Sequence, residues 1–434
     1  MKKIVSNITS LLILSLAVIS TSQVSAATLD KRLSGSNRYE TGAKIISNGW
    51  TTSEYAVVAS GEGFADALCA APLAKKYNAP ILLTGKDTLD LNTKNQLKAL
   101  DVKKVFVVGG SGVVSESVNS EMKDMGIETN RIYGQNRFET SLQVANNLGD
   151  IAGVVVTNGF GFADALSIAP VAAQKGMPIL LTDKEDLSSS VKEFLANSSY
   201  SKSYIVGGSG VVSDKIASQL KGNTRLGGAS RYSTNAAVLN QFANEFSYDK
   251  VYVASGENYP DALSGSALAA LSNSPLILAG TSVNPSVMSS IKAQHENYNN
   301  VIILGGTAVV SDAVASDIVS GVDTITSAAI RNEFQKIGFV FSSETTALYD
   351  KDGITIGLVN QGEYWQLAVK TWGEEEESLF YRGMSIILGQ DAAWSSLIYI
   401  DYALDMPDSV HTTEHVRTFV SGDKLVVHIF NPKE

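Results

Sequence analysis

Along most of the chain, short all-apolar runs alternate with stretches whose apolar residues recur at helical spacing. The first such block contains "YAVVAS" (55–60), "APILLT" (79–84) and "KVFVVGG" (104–110). Interleaved with them are "FADALCAAPLAKKY" (64–77), "LNTKNQLKAL" (91–100) and "SESVNSEMKDM" (115–125). Apolar runs without polar alternation suit strands buried on both faces. Strands of that kind separated by helices predict a parallel sheet wrapped by helices, an α/β fold.

The block is written three times. "GGSGVVS" at Gly109–Ser115 returns unchanged at Gly207–Ser213 and as "GGTAVVS" at Gly305–Ser311, each time after 98 residues. "RLSGSNRYET" (32–41) returns as "RIYGQNRFET" (131–140) and "RLGGASRYST" (225–234). "SGEGFADAL" (60–68) returns as "NGFGFADAL" (158–166) and "SGENYPDAL" (255–263). These repeats divide the chain into units at 27–126, 127–221 and 222–325. About 95–100 residues is enough for each unit to bury its own core, so the reading is three small doubly wound modules rather than a solenoid.

Where a strand runs into "GG" and then a helix, backbone N–H groups and a helix N-terminus gather at one rim of the sheet. Such a rim can hold an anion, although the same turn can serve packing alone. The candidate residues are Gly109 and Gly110, Gly207 and Gly208, Gly305 and Gly306. Arg38, Arg137 and Arg231 hold equivalent positions, each followed by an aromatic residue, and offer a planar fork for phosphate or carboxylate oxygens. An internal ion pair or a helix-start contact is their alternative role. Arg32, Arg131 and Arg225, on the preceding strand, are weaker candidates of the same kind. Asp66, Asp164 and Asp261 fall in a first helical turn, where a carboxylate can cap backbone N–H groups or orient an arginine.

The four motifs, recurring in order over about 300 residues, strongly resemble the cell wall-binding repeat type 2 modules of clostridial and other Gram-positive surface proteins. The resemblance implies three Rossmann-like modules in a pseudo-threefold unit that bind an anionic secondary wall polymer without a covalent link. Any individual activity would then sit in a separate domain. The family's aliphatic triplet matches Ile81–Leu83 and Ile179–Leu181, and the third copy, Leu276–Leu278, is permuted. The third repeat also has Pro260 in place of Ala65 and Ala163, and Ala308 in place of Gly112 and Gly210. A single millimolar site is worth only about 4 kcal/mol. Three linked sites on a repeating polymer gain about 10²–10⁴ in avidity.

Charge and the chain ends narrow the partners. Lys2 and Lys3, the apolar run 11–20 and "VSA" at 24–26 read as a signal peptide cleaved before Ala27, which makes the protein secreted. Cleavage takes the net charge from −10 to −12, and residues 326–434, with 16 acidic and 8 basic side chains, account for −8 of it. No basic field is present to draw nucleic acid. No transmembrane anchor or sorting signal is read, and the lone Cys69 supports no internal disulfide. "GGSGVVS" lacks the third glycine of a dinucleotide loop, so no cofactor is expected.

"GVDTIT" (321–326) echoes "GIETNR" (126–131) and is expected to supply the third module's last strand. Residues 326–434 then read as a small α+β domain. Helices are expected at 327–341, 377–389 and 392–404, a β-meander at 346–372 and a hairpin at 416–430. "HTTEH" (411–415) fits an inverted zinc-peptidase spacing, but it lies between "MPDSV" and a β-like run, so a loop is the better reading and no metal is assigned. The role expected for this domain is display, with a protein partner allowed, and a wall hydrolase or a surface adhesin or layer component are the alternatives.

Overall fold

The computed structural model describes residues 28–294, 298 and 300–320, together with seven strands between 340 and 430. The twelve strands of the repeat region are β1 (Thr28–Leu33), β2 (Tyr55–Ser60), β3 (Ile81–Thr84), β4 (Lys104–Val108), β5 (Glu128–Ile132), β6 (Gly153–Asn158), β7 (Ile179–Thr182), β8 (Lys202–Val206), β9 (Asn223–Leu226), β10 (Val251–Ser255), β11 (Leu276–Ala279) and β12 (Asn300–Leu304). They form three parallel four-stranded sheets flanked by helices, as the alternation predicts. The orders are β3-β2-β4-β5, β7-β6-β8-β9 and β11-β10-β12-β1.

The outer strand of each sheet comes from the next repeat. β5 follows the unit boundary at 127 yet pairs with β4, and β9 follows the boundary at 222 yet pairs with β8. The third sheet closes the circle: β1, from the start of the chain, pairs with β12 from Thr28↔Asn300 to Leu33↔Leu304. Residues 321–326, expected to complete this sheet, lie outside the described set, and the edge beside β12 is held by β1. The ring is therefore closed between the two ends of the repeat region, not repeat by repeat.

The aliphatic triplets are core strand, with all of Ile81–Leu83, Ile179–Leu181 and Leu276–Leu278 buried. Helices Ala70–Lys76, Ala163–Gln174 and Pro260–Leu271 pack against one another and join the sheets in one apolar core. In front of them, Phe64, Phe162 and Tyr259 meet as a triangle, with ring centroids 5.6, 5.4 and 5.8 Å apart. These three rings hold the same offset in each repeat, so the triangle marks a pseudo-threefold axis. Pro260 fits as the first residue of its helix, where no intrahelical N–H is lost. Ala308 fits because a Cβ at its counterparts Gly112 and Gly210 would meet nothing within 4 Å.

The C-terminal strands are β13 (Val340–Phe341), β14 (Thr346–Lys351), β15 (Ile354–Asn360), β16 (Tyr364–Val369), β17 (Val410–Thr412), β18 (Val416–Ser421) and β19 (Lys424–Phe430). They form one antiparallel sheet, β13-β14-β15-β16-β19-β18-β17, which contains the expected meander and hairpin. Val340–Phe341 was expected to end a helix; following Gly338, this β-favouring pair joins the sheet edge instead. His411 lies on a strand, opposite Thr418, so "HTTEH" begins neither as a loop nor on the helical face the zinc reading needs. The helices expected at 377–389 and 392–404 and the signal peptide at 1–26 lie outside the described residues.

Candidate functional site: three clefts around one axis

In each sheet the strand order reverses between two central neighbours, such as β2 and β4. The crevice beyond their carboxyl ends is where open α/β sheets take ligands. Here the crevice is built from three loops: one carrying the aspartate, one carrying the glycine pair, and one after the borrowed strand that carries the next repeat's arginine. The three clefts surround the aromatic triangle.

The first glycine of each pair is required. Gly109, Gly207 and Gly305 have φ of +118°, +118° and +110°. A Cβ there would lie 2.7, 2.7 and 2.6 Å from the following valine's Cγ2 (Val113, Val211, Val309). It would also lie 3.2, 2.8 and 2.5 Å from a carboxylate oxygen of Asp66, Asp164 and Asp261. The second glycines, Gly110, Gly208 and Gly306, accept the next turn's amide bonds and are sterically free.

Arg32, Arg131 and Arg225 are held by the turn itself. Arg32 donates to the carbonyls of Gly305 (3.0 Å) and Val310 (2.7 Å) and pairs with Asp312 at 2.7 Å. Arg225 donates to Gly207 (3.0 Å) and Val212 (2.9 Å) and pairs with Asp214 at 2.9 Å. Arg131 donates to Gly109 (2.9 Å) and pairs with Glu116 at 3.0 Å. Their guanidinium groups fasten the borrowed strand to the glycine turn, which is the internal role weighed against polymer contact.

Arg38, Arg137 and Arg231 sit differently. Each is the first residue of a helix, after a cap from Asn37, Asn136 or Ser230. A cation there opposes the helix dipole, so local stability does not explain it. Nη1 donates to one backbone carbonyl of its own repeat: Gly61 for Arg38, Gly159 for Arg137 (2.7 Å) and Gly256 for Arg231 (2.6 Å). Arg38 also lies 3.2 Å from the hydroxyl of Tyr259 and over its ring, and Arg231 lies over Phe162, both aromatic partners belonging to the preceding repeat in the ring.

Asp66 holds an N-cap position without a side-chain cap bond, while Asp164 and Asp261 lie in the first turn of their helices, as expected, just inside caps at Phe162 and Tyr259. They face the next repeat. Burial raises the Asp66 and Asp164 carboxyls, opposed by a hydroxyl bond from Thr140 or Thr234 and by the charge of Arg137 or Arg231. Burial pushes Asp261 up to about 6, opposed by Arg38. Each aspartate therefore answers the arginine of the following repeat, not that of its own.

A stability change follows, with its sign fixed by this shift. The folded state holds a proton on Asp261 that the unfolded chain releases near pH 4. Stability is therefore greatest below that pH and declines as pH rises to about 6. The decline from this group is on the order of 3 kcal/mol. Asp261→Asn is expected to remove that part of the decline and raise the melting temperature at pH 7, as checked by calorimetry from pH 4 to 8.

Comparison with known proteins decides the family. Residues 32–119, 131–217 and 225–315 each match Cell wall binding domain 2 (CWB2). The chain belongs to the CWB2 family. The matched copies follow the three repeats described above and end at residue 315. The N-acetylmuramoyl-L-alanine amidase LytC of Bacillus subtilis (strain 168) is 37% identical over 289 residues, 66% of this chain and 58% of that protein. The amidase enhancer of the same organism is 32% identical over 292 residues, 66% of this chain and 40% of that protein. Cwp6 from Clostridium difficile has a TM-score of 0.65 at 31% identity, covering 68% of this chain and 48% of that one. The chain thus spans about half the length of these relatives. A CWB2 triplet makes this a wall-associated surface protein.

Proposed function

We propose that the protein is exported and held non-covalently on the cell wall by its three CWB2 repeats, which bind an anionic secondary wall polymer and leave residues 326–434 displayed outward. The observation that carries this reading is the composite cleft. Three times, an arginine is placed at the dipole-opposed end of a helix, over the open crevice of the neighbouring sheet and beside a glycine turn. The clefts surround one axis, so a single polymer chain can reach more than one of them. With a near-neutral repeat region, capture rests on these local forks rather than on a long-range field. The relatives named for amidase work leave open a hydrolase role for the displayed part, but no feature of the described residues favours it.

Sedimentation with purified Gram-positive walls tests the reading. The mature chain should pellet with intact walls and stay in solution once the secondary polymer has been stripped. Equal binding to both would reject the polymer as the ligand.

A further inference from the structure

The three clefts are built on one plan but are not equal. The second, between the second and third repeats, is a cavity of about 680 Å³ lined by residues that include Phe160, Phe162, Asp164, Val211 and Arg231. Five large apolar side chains are exposed among the described residues, and two of them, Phe160 at 62% and Val211 at 39%, line this cavity. Exposed apolar side chains gathered in one concave place mark contact surfaces.

Phe160 is also a departure from the repeat. Its counterparts are Glu62 and Glu257. The ring is fixed in place: the guanidinium of Arg137 lies 5.1 Å from its centroid and Phe138 meets it edge-on at 5.7 Å. Its loop is fixed as well. The Phe160 amide donates to Asn158 Oδ1 at 2.8 Å, and Asn158 Nδ2 donates to the Val211 carbonyl at 2.8 Å, joining the aromatic loop to the glycine turn. Ser60 and Ser255, the counterparts of Asn158, accept the equivalent amide at 3.1 Å but make no such bridge to the glycine turn. The rim opposite is bare. A Cβ at Gly227 would stand 2.6–2.7 Å from the backbone of Gly207 and Gly208, so glycine replaces the exposed Tyr133 that stands by Gly110 in the first cleft. At the cavity's end, Arg231 spends Nη1 on the Gly256 carbonyl, with the Glu257 carboxylate 3.7 Å away. Its side chain is 39% exposed.

Resting on the polymer-binding reading above, we propose that this second cleft is the principal seat for one anionic glycosyl unit. The apolar face of the sugar lies on Phe160 and Val211, and its charged group lies at the outer edge of Arg231. The pre-fixed ring removes the ordering cost that a mobile aromatic would carry. Asp164 behind the arginine and Glu257 beside it limit the grip of any one cleft. The other two clefts, with Glu62 and Glu257 at the aromatic position, serve as weaker auxiliary contacts.

The test compares the full mature chain with its Phe160→Ala and Phe160→Glu variants and, as control, Leu91→Ala, which removes an exposed apolar side chain outside the clefts. Intact and stripped walls are the probe, and melting temperature is recorded for each. Phe160→Glu places the sister loops' own residue there and so guards against a folding artefact. Both Phe160 variants are expected to lose at least about tenfold in retention on intact walls, with Leu91→Ala within about twofold and melting temperatures unchanged. Full retention by either folded Phe160 variant, while the wild type still prefers intact walls, overturns the proposal and leaves the polymer reading standing. A wild type that pellets equally with stripped walls overturns both.

Discussion

Deleting Thr28–Leu33 is expected to open the third sheet while the first two stay folded. That strand lies at the far end of the repeat region from the sheet it completes. It covers one edge of β12 in parallel pairing, and Arg32 on it makes three contacts to the third glycine turn and its helix. Removing it frees the outer backbone groups of Val301–Leu304 and takes the staple from Gly305. Each hydrogen bond is worth about 0.5–1.5 kcal/mol net, and those to charged groups about 1.5–3. The loss is therefore several kcal/mol, concentrated in one sheet. Hydrogen exchange should report it as protection at Val301–Leu304 falling by about 10²-fold or more, with Val105–Val108 and Ser203–Val206 unchanged. Unaltered protection at Val301–Leu304 would mean that the ring does not need its clasp.

The contrast between those three strands and the others explains what could be read in advance. β2, β4, β6, β8, β10 and β12 are apolar runs buried on both faces, and hydrophobic pattern identifies them directly. β1, β5 and β9 read "TLDKRL", "ETNRI" and "NTRL", edge segments with charged side chains; repetition marks them as strands, which apolar pattern alone does not. Repetition says which residues are alike but not which copies touch. The closure of the third sheet by β1, and the influence of Arg137 rather than Arg38 on Asp66, therefore lay beyond it. The aromatic triangle did leave a signal, since Phe64, Phe162 and Tyr259 recur at one offset, but an aromatic beside an aspartate at a helix start reads equally well as ordinary core. Phe160 stands out only when a departure from the repeat is weighed as heavily as a match. His411 shows the reverse: a letter match to a zinc spacing begins on a strand, opposite Thr418, and not in the loop expected there.

Replacing Arg38, Arg137 and Arg231 together by glutamine is expected to cut wall retention by about 10²-fold or more and to leave the fold in place. The fold survives because these arginines contribute little to it. They occupy the unfavourable end of their helices, and each gives the backbone one bond. The aspartates they answer are not left as bare buried charges. Burial already raises Asp261 to about 6, and without Arg38 its carboxyl rises further toward the neutral form, which bounds the cost. Retention falls steeply because linked weak sites multiply. Losing one removes its factor, and losing all three leaves only sugar contacts without the charge. The single variants should then rank the clefts, with Arg231→Gln weakening retention more than Arg38→Gln or Arg137→Gln, because it removes the charge beside the Phe160 platform. Retention of the wild type should also fall as salt is raised, and the triple variant should have lost that dependence. A triple variant that pellets like the wild type, with the same response to salt, would take the arginines out of the contact and move the polymer off the clefts.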